Sequence, residues 1–178
     1  MAPLGARDTF TVPAVPSGAT GAESGIRFAF GAPGADVAGF RRTHQQALGA
    51  EAVALAAGLS GPRLTSFAEV APLALMASSV ELLRPWVLET LGSLAADDDQ
   101  HARLRDTLGV FLQENGSYKA TAERRILHKN SVQYRIHKTE EALGHPVDQR
   151  RLDLELALLA SHWLGATVLQ HPDQPGHG

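Results

Sequence analysis

The feature that most constrains the fold of this chain is the stretch 116–144, GSYKATAERRILHKNSVQYRIHKTEEALG. Its pattern predicts two short helices joined by a tight turn, the first over 119–125. In the second helix, apolar and small side chains recur at helical spacing and define the face that must be buried. These residues are Val132, Ile136, Thr139 and Leu143.

The opposite face of the second helix carries side chains that suit the reading of DNA bases. Amide side chains can bond adenine at two positions, and Lys or Arg can bond guanine. Either His128 or Asn130 is predicted to cap the start of this helix. The predicted DNA-binding residues of the whole segment are Lys119, His128, Lys129, Asn130, Ser131, Gln133, Tyr134, Arg135, His137 and Lys138.

The charge of this segment agrees with that prediction. Between positions 119 and 138, six Lys and Arg side chains face one acid, Glu123, so the net charge is +5. The 178-residue chain as a whole carries a formal charge of -3. Basic charge concentrated in one part of an acidic protein is typical of a DNA-binding element. On the local pattern alone, a solvated helical hairpin without a partner is the alternative, because short motifs of this kind have many false positives.

The longer run 104–164 contains an ordered set of residues with characteristic spacing. They are Asn115, Gly116, Ser117, Thr121, Ala122, His128, Asn130, Val132, Tyr134, Arg135, Glu140, Glu141, Leu143, Gly144 and the run 154–158. With these residues, the run resembles the C-terminal helix-turn-helix domain of the PucR/CdaR transcriptional regulators. The resemblance implies a sequence-specific DNA-binding transcriptional regulator whose partner is double-stranded DNA and whose second helix enters the major groove.

Three positions depart from the pattern of that family. Arg125 stands where the family usually has a packing leucine, Thr139 where it tends to have isoleucine, and Gln133 where it tends to have arginine. These departures keep a second hypothesis open. The chain could be a truncated interaction module that pairs with full-length regulators and does not read DNA itself.

The sequence pattern before the helix-turn-helix predicts a small α/β unit. A strand at 25–31, a helix at 35–58, a strand at 63–67 and a helix at 68–76 follow one another. This region resembles the last half of the GGDEF-like domain that precedes the DNA-binding domain in PucR/CdaR proteins. It contains no G-G-(D/E)-E-F turn, and therefore no cyclase activity is expected.

The predicted fold class is α+β, mostly helical, with a C-terminal helix-turn-helix bundle after a small partial α/β module. The predicted organisation is a flexible leader at 1–24, the α/β module at 25–78, a connecting helix at 79–100, the DNA-binding domain at 101–170 and a disordered tail at 171–178. Pro85 is expected to mark where the regular part of the connecting helix begins, and the acidic run 97–99 to start the next helix.

Several function classes find little support in the sequence. The chain has no cysteine, which excludes disulfides and Cys-ligated zinc. No apolar run approaches the ~20 residues of a membrane span, and the N-terminus lacks the apolar core of a signal peptide. The glycine-rich loop 31–35 lacks both common nucleotide-binding patterns. We therefore expect a cytoplasmic protein that is not an enzyme, with no cofactor, no bound metal and no membrane partner.

The closing helix, predicted at 148–168, is apolar on more than one face. One stripe contains Leu152, Leu156, Leu159 and Trp163, and Leu154, Leu158 and Leu164 lie off it. The excess apolar surface has two explanations, which are burial within one chain and contact with a second chain. On the second explanation, we predict a homodimer, or hetero-association with related regulators, through the α/β module or the closing helix.

Overall fold

The computed structural model describes residues 26–58, 61–76 and 80–170, and the predicted leader 1–24 and tail 171–178 lie outside the described residues. Helices dominate, and a sheet of two short strands accompanies them. The predicted fold class, α+β and mostly helical, is confirmed. In the described ranges, none of the helices has the length and apolar character needed to cross a membrane.

The α/β module follows the predicted order of strand, helix, strand and helix. Strand β1 (Phe28–Phe30) pairs in parallel with β2 (Leu64–Ser66), and helix α1 (Asp36–Ala56) connects them. Parallel strands require such a crossover, which explains why the 21-residue helix lies between two three-residue strands. Helix α2 (Phe67–Met76) follows β2 directly and packs on α1.

The small residues of α1 explain how closely it packs on its neighbours. Ala50, Val53 and Ala54 are buried, with exposed fractions of 5% or less, so the helix axis can approach the sheet and α2. The predicted helix 35–58 is therefore confirmed to within two residues at its end. Its outer face carries larger apolar side chains that contact solvent.

The connecting segment contains helix α3 (Val80–Leu91) and a 3-10 turn (Gly92–Ala95). The expectation that Pro85 begins the regular helix is wrong, because α3 begins at Val80 and Pro85 lies inside it. A proline inside a helix removes one backbone hydrogen bond. The fully buried Val87 and Leu91 offset that loss, since they fix α3 against the core.

Helix α4 (Asp99–Gln113) begins within the acidic run 97–99, as the sequence predicts. The Asp98 carboxylate accepts hydrogen bonds from the backbone N–H groups of Gln100 and His101, at 2.9 and 3.0 Å. The backbone bond from His101 is the main reason why the pKa of Asp98 lies below its usual value. At the other end, Gly116 has a φ of 79° and donates from its backbone nitrogen to the carbonyl of Phe111 at 2.8 Å.

The last three helices complete the bundle. They are α5 (Tyr118–Arg125), α6 (Lys129–Leu143) and α7 (Arg151–Leu164), and a 3-10 turn (Gly165–Thr167) follows α7. Helix α7 contacts α1, α2, α3 and α4. The α/β module and the helix-turn-helix therefore share one continuous core.

The position of α7 corrects the predicted dimer contacts. Leu154, Leu158 and Leu164 are buried within the chain, with exposed fractions of 0%, 8% and 2%, whereas Leu152 is 66% exposed. The reason is that α7 packs against four other helices, and the leucines outside the predicted stripe belong to the shared core. Of the two explanations for the excess apolar surface, burial within the chain is correct for these three leucines.

Candidate nucleic-acid interface

Helix α6 is anchored by the stripe that the sequence predicts. Val132, Ile136 and Thr139 are buried, with exposed fractions of 0%, 1% and 0%, and α6 packs on α4 and α5. The Thr139 hydroxyl donates to the carbonyl of Arg135 at 2.9 Å. The buried hydroxyl at this position, where the PucR/CdaR pattern tends to have isoleucine, therefore has a hydrogen-bond partner. Leu143, the fourth member of the stripe, is half-buried.

The first two turns of α6 present polar side chains to solvent. Asn130, Ser131 and Gln133 are exposed, and Tyr134 is 63% exposed. None of these four side chains is needed by the core. The N-terminal half of α6 is therefore free to contact a partner, as the sequence predicts.

His128 is the cap of α6, which confirms the first of the two predicted caps. Its ring Nδ1 accepts a hydrogen bond from the backbone N–H of Asn130 at 3.3 Å. A neutral imidazole that accepts at Nδ1 carries its proton on Nε2. The remaining N–H of His128 is thus a hydrogen-bond donor that a phosphate oxygen could use.

The C-terminal half of α6 is occupied by an ion-pair cluster within the helix. The Glu141 carboxylate lies 2.6 Å from the Lys138 Nζ and 3.1 Å from the His137 Nε2. The hydrogen bond from Lys138 lowers the pKa of Glu141, and the same bond raises the pKa of Lys138. His137 and Lys138, both predicted DNA contacts, therefore already have an anionic partner.

Arg135 faces the body of the protein and not the exposed side of α6. It is half-buried, and its Nη1 donates to the Thr107 hydroxyl on α4 at 3.1 Å. The arginine thus fastens α6 to α4. Its predicted contact with DNA stays a prediction, and the geometry gives it a packing role.

Acids from other parts of the fold lie beside the basic segment, and the sequence pattern did not reveal this. Arg124 pairs with Glu114 at 2.8 Å, and Arg125 lies 3.6 Å from Asp106. When Glu114, Asp106 and Glu141 are counted with Glu123, four acids face the six cations, and the net charge of the region falls from +5 to +2. Lys119 and Lys129 are both exposed. The Lys119 side chain is 84% exposed and lies 3.9 Å from the Glu123 carboxylate.

Arg125 is a second departure from the PucR/CdaR pattern that the structure explains. Its side chain is 34% exposed and borders a groove between α4 and α7, so it is not enclosed as a packing leucine would be. The guanidinium reaches solvent beside Asp106. The charge at this position therefore has access to solvent and an anionic neighbour.

The fold also brings α4 next to α6, and the sequence did not indicate which side chains meet there. A groove of about 720 Å³ lies along the junction of the two helices. Gln100 and Arg103, both exposed, line it together with Tyr134 and Lys138. Within the described part of the chain, no group of three or more His, Asp or Glu side chains could hold a metal ion.

The turn between α5 and α6 contains an unusual residue, Ile126. Its backbone is left-handed, with φ 55° and ψ 47°, and its side chain is 93% exposed. A β-branched residue in this conformation is strained by roughly 1–2 kcal/mol, because its Cβ crowds the backbone. The exposed side chain offers no burial to offset that strain.

We therefore expect Ile126→Gly to stabilise the protein by about 0.5–1 kcal/mol, since glycine removes the strain but costs some entropy on folding. Chemical denaturation measures the change. Ile126→Val is the matched control, because it keeps the β-branch and should leave the midpoint close to that of the parent. A lower midpoint for the glycine variant would mean that the exposed isoleucine makes a stabilising contact.

Comparison with known proteins bears on the helices that form this interface. Residues 104–160 match the family model of the PucR C-terminal helix-turn-helix domain. The matched residues include most of α4, all of α5 and α6, and most of α7. The resemblance of this part of the chain to PucR regulators is thus confirmed.

Two curated relatives share part of this chain. The purine catabolism regulatory protein of Bacillus subtilis (strain 168) is 35% identical over 79 residues, which are 44% of this chain and 15% of that protein. An uncharacterized protein in the pkwA 5' region of Thermomonospora curvata is 44% identical over 54 residues, 30% of each chain. The chain therefore matches less than a third of the length of either relative, and the resemblance of 25–78 to a GGDEF-like domain stays a prediction.

Proposed function

We propose that this chain is a sequence-specific DNA-binding transcriptional regulator of the PucR/CdaR type. The observation that carries the proposal is the exposed N-terminal half of α6, held on a buried Val132–Ile136–Thr139 stripe inside a PucR-type helix-turn-helix domain. In helix-turn-helix proteins the N-terminal residues of the second helix contact base edges. The role of the chain is then regulatory and not catalytic.

The proposed mechanism divides the interface into two kinds of contact. Asn130 and Gln133 would bond base edges in the major groove, and Tyr134 would contact the bases or sugars beside them. Lys119 and Lys129 would pair with phosphates, because they are exposed and α5 crosses the DNA backbone in this geometry. Lys138 and His137 would contribute less, since Glu141 binds both.

We expect binding to duplex DNA with a moderate salt dependence. A region of net charge +2 should release counterions from about two to three phosphates, so log Kd should change with log salt at a slope of about 2–3 per chain. Fluorescence anisotropy with labelled mixed-sequence DNA between ~50 and ~200 mM salt measures the slope. A slope near 5 would show that the ion pairs open on binding and do not limit the contact.

The other hypothesis is an interaction module that pairs with full-length regulators and does not read DNA. Absence of DNA binding even at low salt would support it. Two departures that suggested it are accommodated by the fold, because the Thr139 hydroxyl is hydrogen-bonded and Arg125 is partly exposed beside Asp106. Gln133 is exposed on α6, where it can bond a base although it lacks the charge that attracts phosphate.

The proposal extends to the rest of the chain. Residues 25–78 would be the partial GGDEF-like module of a cytoplasmic regulator. The regulator would act as a homodimer, or in hetero-association with related regulators, so that two α6 helices meet paired half-sites. With Leu154, Leu158 and Leu164 buried within the chain, the dimer contact must come from another surface.

A further inference from the structure

Helix α5 ends in a backbone motif that requires one left-handed residue. The backbone N–H of Leu127 donates to the carbonyl of Ala122 at 2.9 Å, and that of Ile126 donates to the carbonyl of Glu123 at 3.3 Å. This pair of bonds forms when the residue after the helix has a left-handed backbone, and glycine or asparagine usually occupies that position. Here the left-handed residue is Ile126.

Two other helices of the same domain use the favoured residues at this position. Asn115 follows α4 with a φ of 51°, and its backbone N–H donates to the carbonyl of Leu112 at 3.0 Å. Gly144 follows α6 with a φ of 75° and donates to the carbonyl of Glu140 at 2.9 Å. Of these three helix ends, only that of α5 has a β-branched residue, the kind that the left-handed region disfavours most.

The packing of the chain gives no reason for isoleucine at this position. The next residue, Leu127, packs against the core, but the Ile126 side chain is 93% exposed. A single exposed apolar residue is ordinary on a protein surface. One that is also strained is not, because strained residues persist mainly where a function needs them. We therefore looked for a partner of Ile126 outside the chain.

We propose that Ile126 is a DNA-contacting residue whose side chain packs on apolar C–H groups at the wall of the major groove. Those groups belong to a thymine C5-methyl or to a deoxyribose. The inference deepens the proposed function and rests on it. Ile126 stands two residues before His128, the cap of α6, so their Cα atoms are at most about 8 Å apart. It therefore approaches the duplex together with the N-terminal residues of α6.

The charge around Ile126 favours DNA over a protein partner. Arg124 and Arg125 precede it, the exposed Lys129 follows it, and the region keeps a net charge of +2 when its acidic neighbours are counted. A protein partner would need a contiguous apolar patch. In the described stretch 104–143, Tyr134 on α6 is the other large apolar side chain that is mostly exposed. One apolar side chain among cations suits a surface on which phosphates flank small apolar groups.

Three substitutions of Ile126 separate the DNA contact from the backbone of the turn. Ile126→Gly and Ile126→Asn both accept the left-handed conformation and lack the apolar side chain, whereas Ile126→Val keeps most of it. Anisotropy titrations of the full chain should show about tenfold weaker binding to a selected duplex for the Gly and Asn variants, and a loss of less than about fourfold for the Val variant.

Chemical denaturation of the same variants completes the test. The Gly and Asn variants should unfold at or above the midpoint of the parent, because each relieves strain at Ile126. Higher stability with weaker DNA binding does not follow from a purely structural role. The Asn variant also controls for backbone freedom, since asparagine restricts the turn more than glycine does. Equal affinity losses in the two variants therefore support the apolar contact, and an Asn variant that binds as tightly as the parent would overturn it.

Deoxyuridine identifies which apolar group is contacted. Replacing the thymines of the selected duplex with deoxyuridine removes the methyl groups and keeps the sugars. If Ile126 packs on a thymine methyl, this duplex should weaken the parent more than the Ile126→Gly variant. If it packs on a deoxyribose, the ratio of the two affinities should be the same on both duplexes.

Leu75→Asn is the matched control for the loss of an exposed apolar side chain. Leu75 is 78% exposed and lies on α2, outside the helix-turn-helix. Its substitution should leave the DNA affinity unchanged, and a tenfold loss there would overturn the assignment to Ile126. Absence of DNA binding by the parent at low salt would overturn the proposed function together with this inference. Parent binding that survives both Ile126→Gly and Ile126→Asn would overturn the inference alone.

Discussion

Replacing Arg105 with methionine should lower the free energy of unfolding by about 2–4 kcal/mol. Arg105 is 8% exposed, and its Nη1 donates to the carbonyls of Leu94 and Ala96 at 2.5 and 2.7 Å. Methionine keeps the apolar stem but has no donor. It therefore leaves two carbonyls of the connecting segment without this partner, and one belongs to the fully buried Leu94. Thermal unfolding should show a midpoint lower by roughly 4–15 °C.

Arg103→Met is the control for this prediction, because Arg103 lies on the same helix but is exposed. It should change the free energy of unfolding by less than about 0.5 kcal/mol. Burial of the guanidinium lowers the pKa of Arg105. Equal effects of the two substitutions would show that the bonds to Leu94 and Ala96 do not stabilise the connecting segment.

The role of Arg105 illustrates what the sequence could not reveal. The acidic run 97–99 predicted where α4 begins, and the structure shows that Asp98 caps it. The periodic pattern also places Arg105 next to the buried Leu104 and Leu108, but a pattern of apolar residues assigns no partner to a buried cation. Its acceptors lie on a 3-10 turn and the residue after it, and their position depends on tertiary packing.

The helix-turn-helix was predictable because its determinants are local. The stripe of Val132, Ile136 and Thr139, the His128 cap and the glycine at position 144 all lie within one short segment, and each follows from spacing or from backbone preference. The ion pairs were not predictable in the same way. Asp106 and Glu114 belong to α4, and only the packing of α5 on α4 brings them to Arg125 and Arg124.

The buried face of the closing helix could not be predicted for a related physical reason. Periodicity identifies two apolar faces on α7, but it does not say which one the rest of the chain covers. That choice depends on contacts with α1 and α2, which lie far away in sequence, and on contacts with α3 and α4. An example of such long-range packing is the Thr167 hydroxyl, which donates to the carbonyl of Ala56 at 3.2 Å. The exposed apolar side chains of α1 could be recognised only once the buried face of that helix was known.

Asn130→Ala and Tyr134→Ala should each reduce the preference for a specific DNA site by about 1–3 kcal/mol, which is roughly 5–150-fold in the ratio of specific to non-specific affinity. Both side chains are exposed on the first turns of α6, and neither is part of the buried stripe, so the fold should be unchanged. A specific site is first selected from random duplexes with the parent protein. Anisotropy titrations on that site and on a scrambled duplex then give the ratio, and circular dichroism checks the fold.

Lys129→Ala is the matched control on the same helix. Lys129 is exposed and precedes Asn130, but its proposed partner is a phosphate. Its removal should weaken binding to the selected and the scrambled duplex alike and reduce the salt slope by about 1. If α6 divides its contacts in this way, the Asn130 and Tyr134 variants should lower the specificity ratio, whereas the Lys129 variant should lower the affinity for both duplexes and keep the ratio. If Asn130→Ala weakened both duplexes equally while Lys129→Ala changed the specificity ratio, α6 would bind DNA in another orientation, with its amide side facing the backbone.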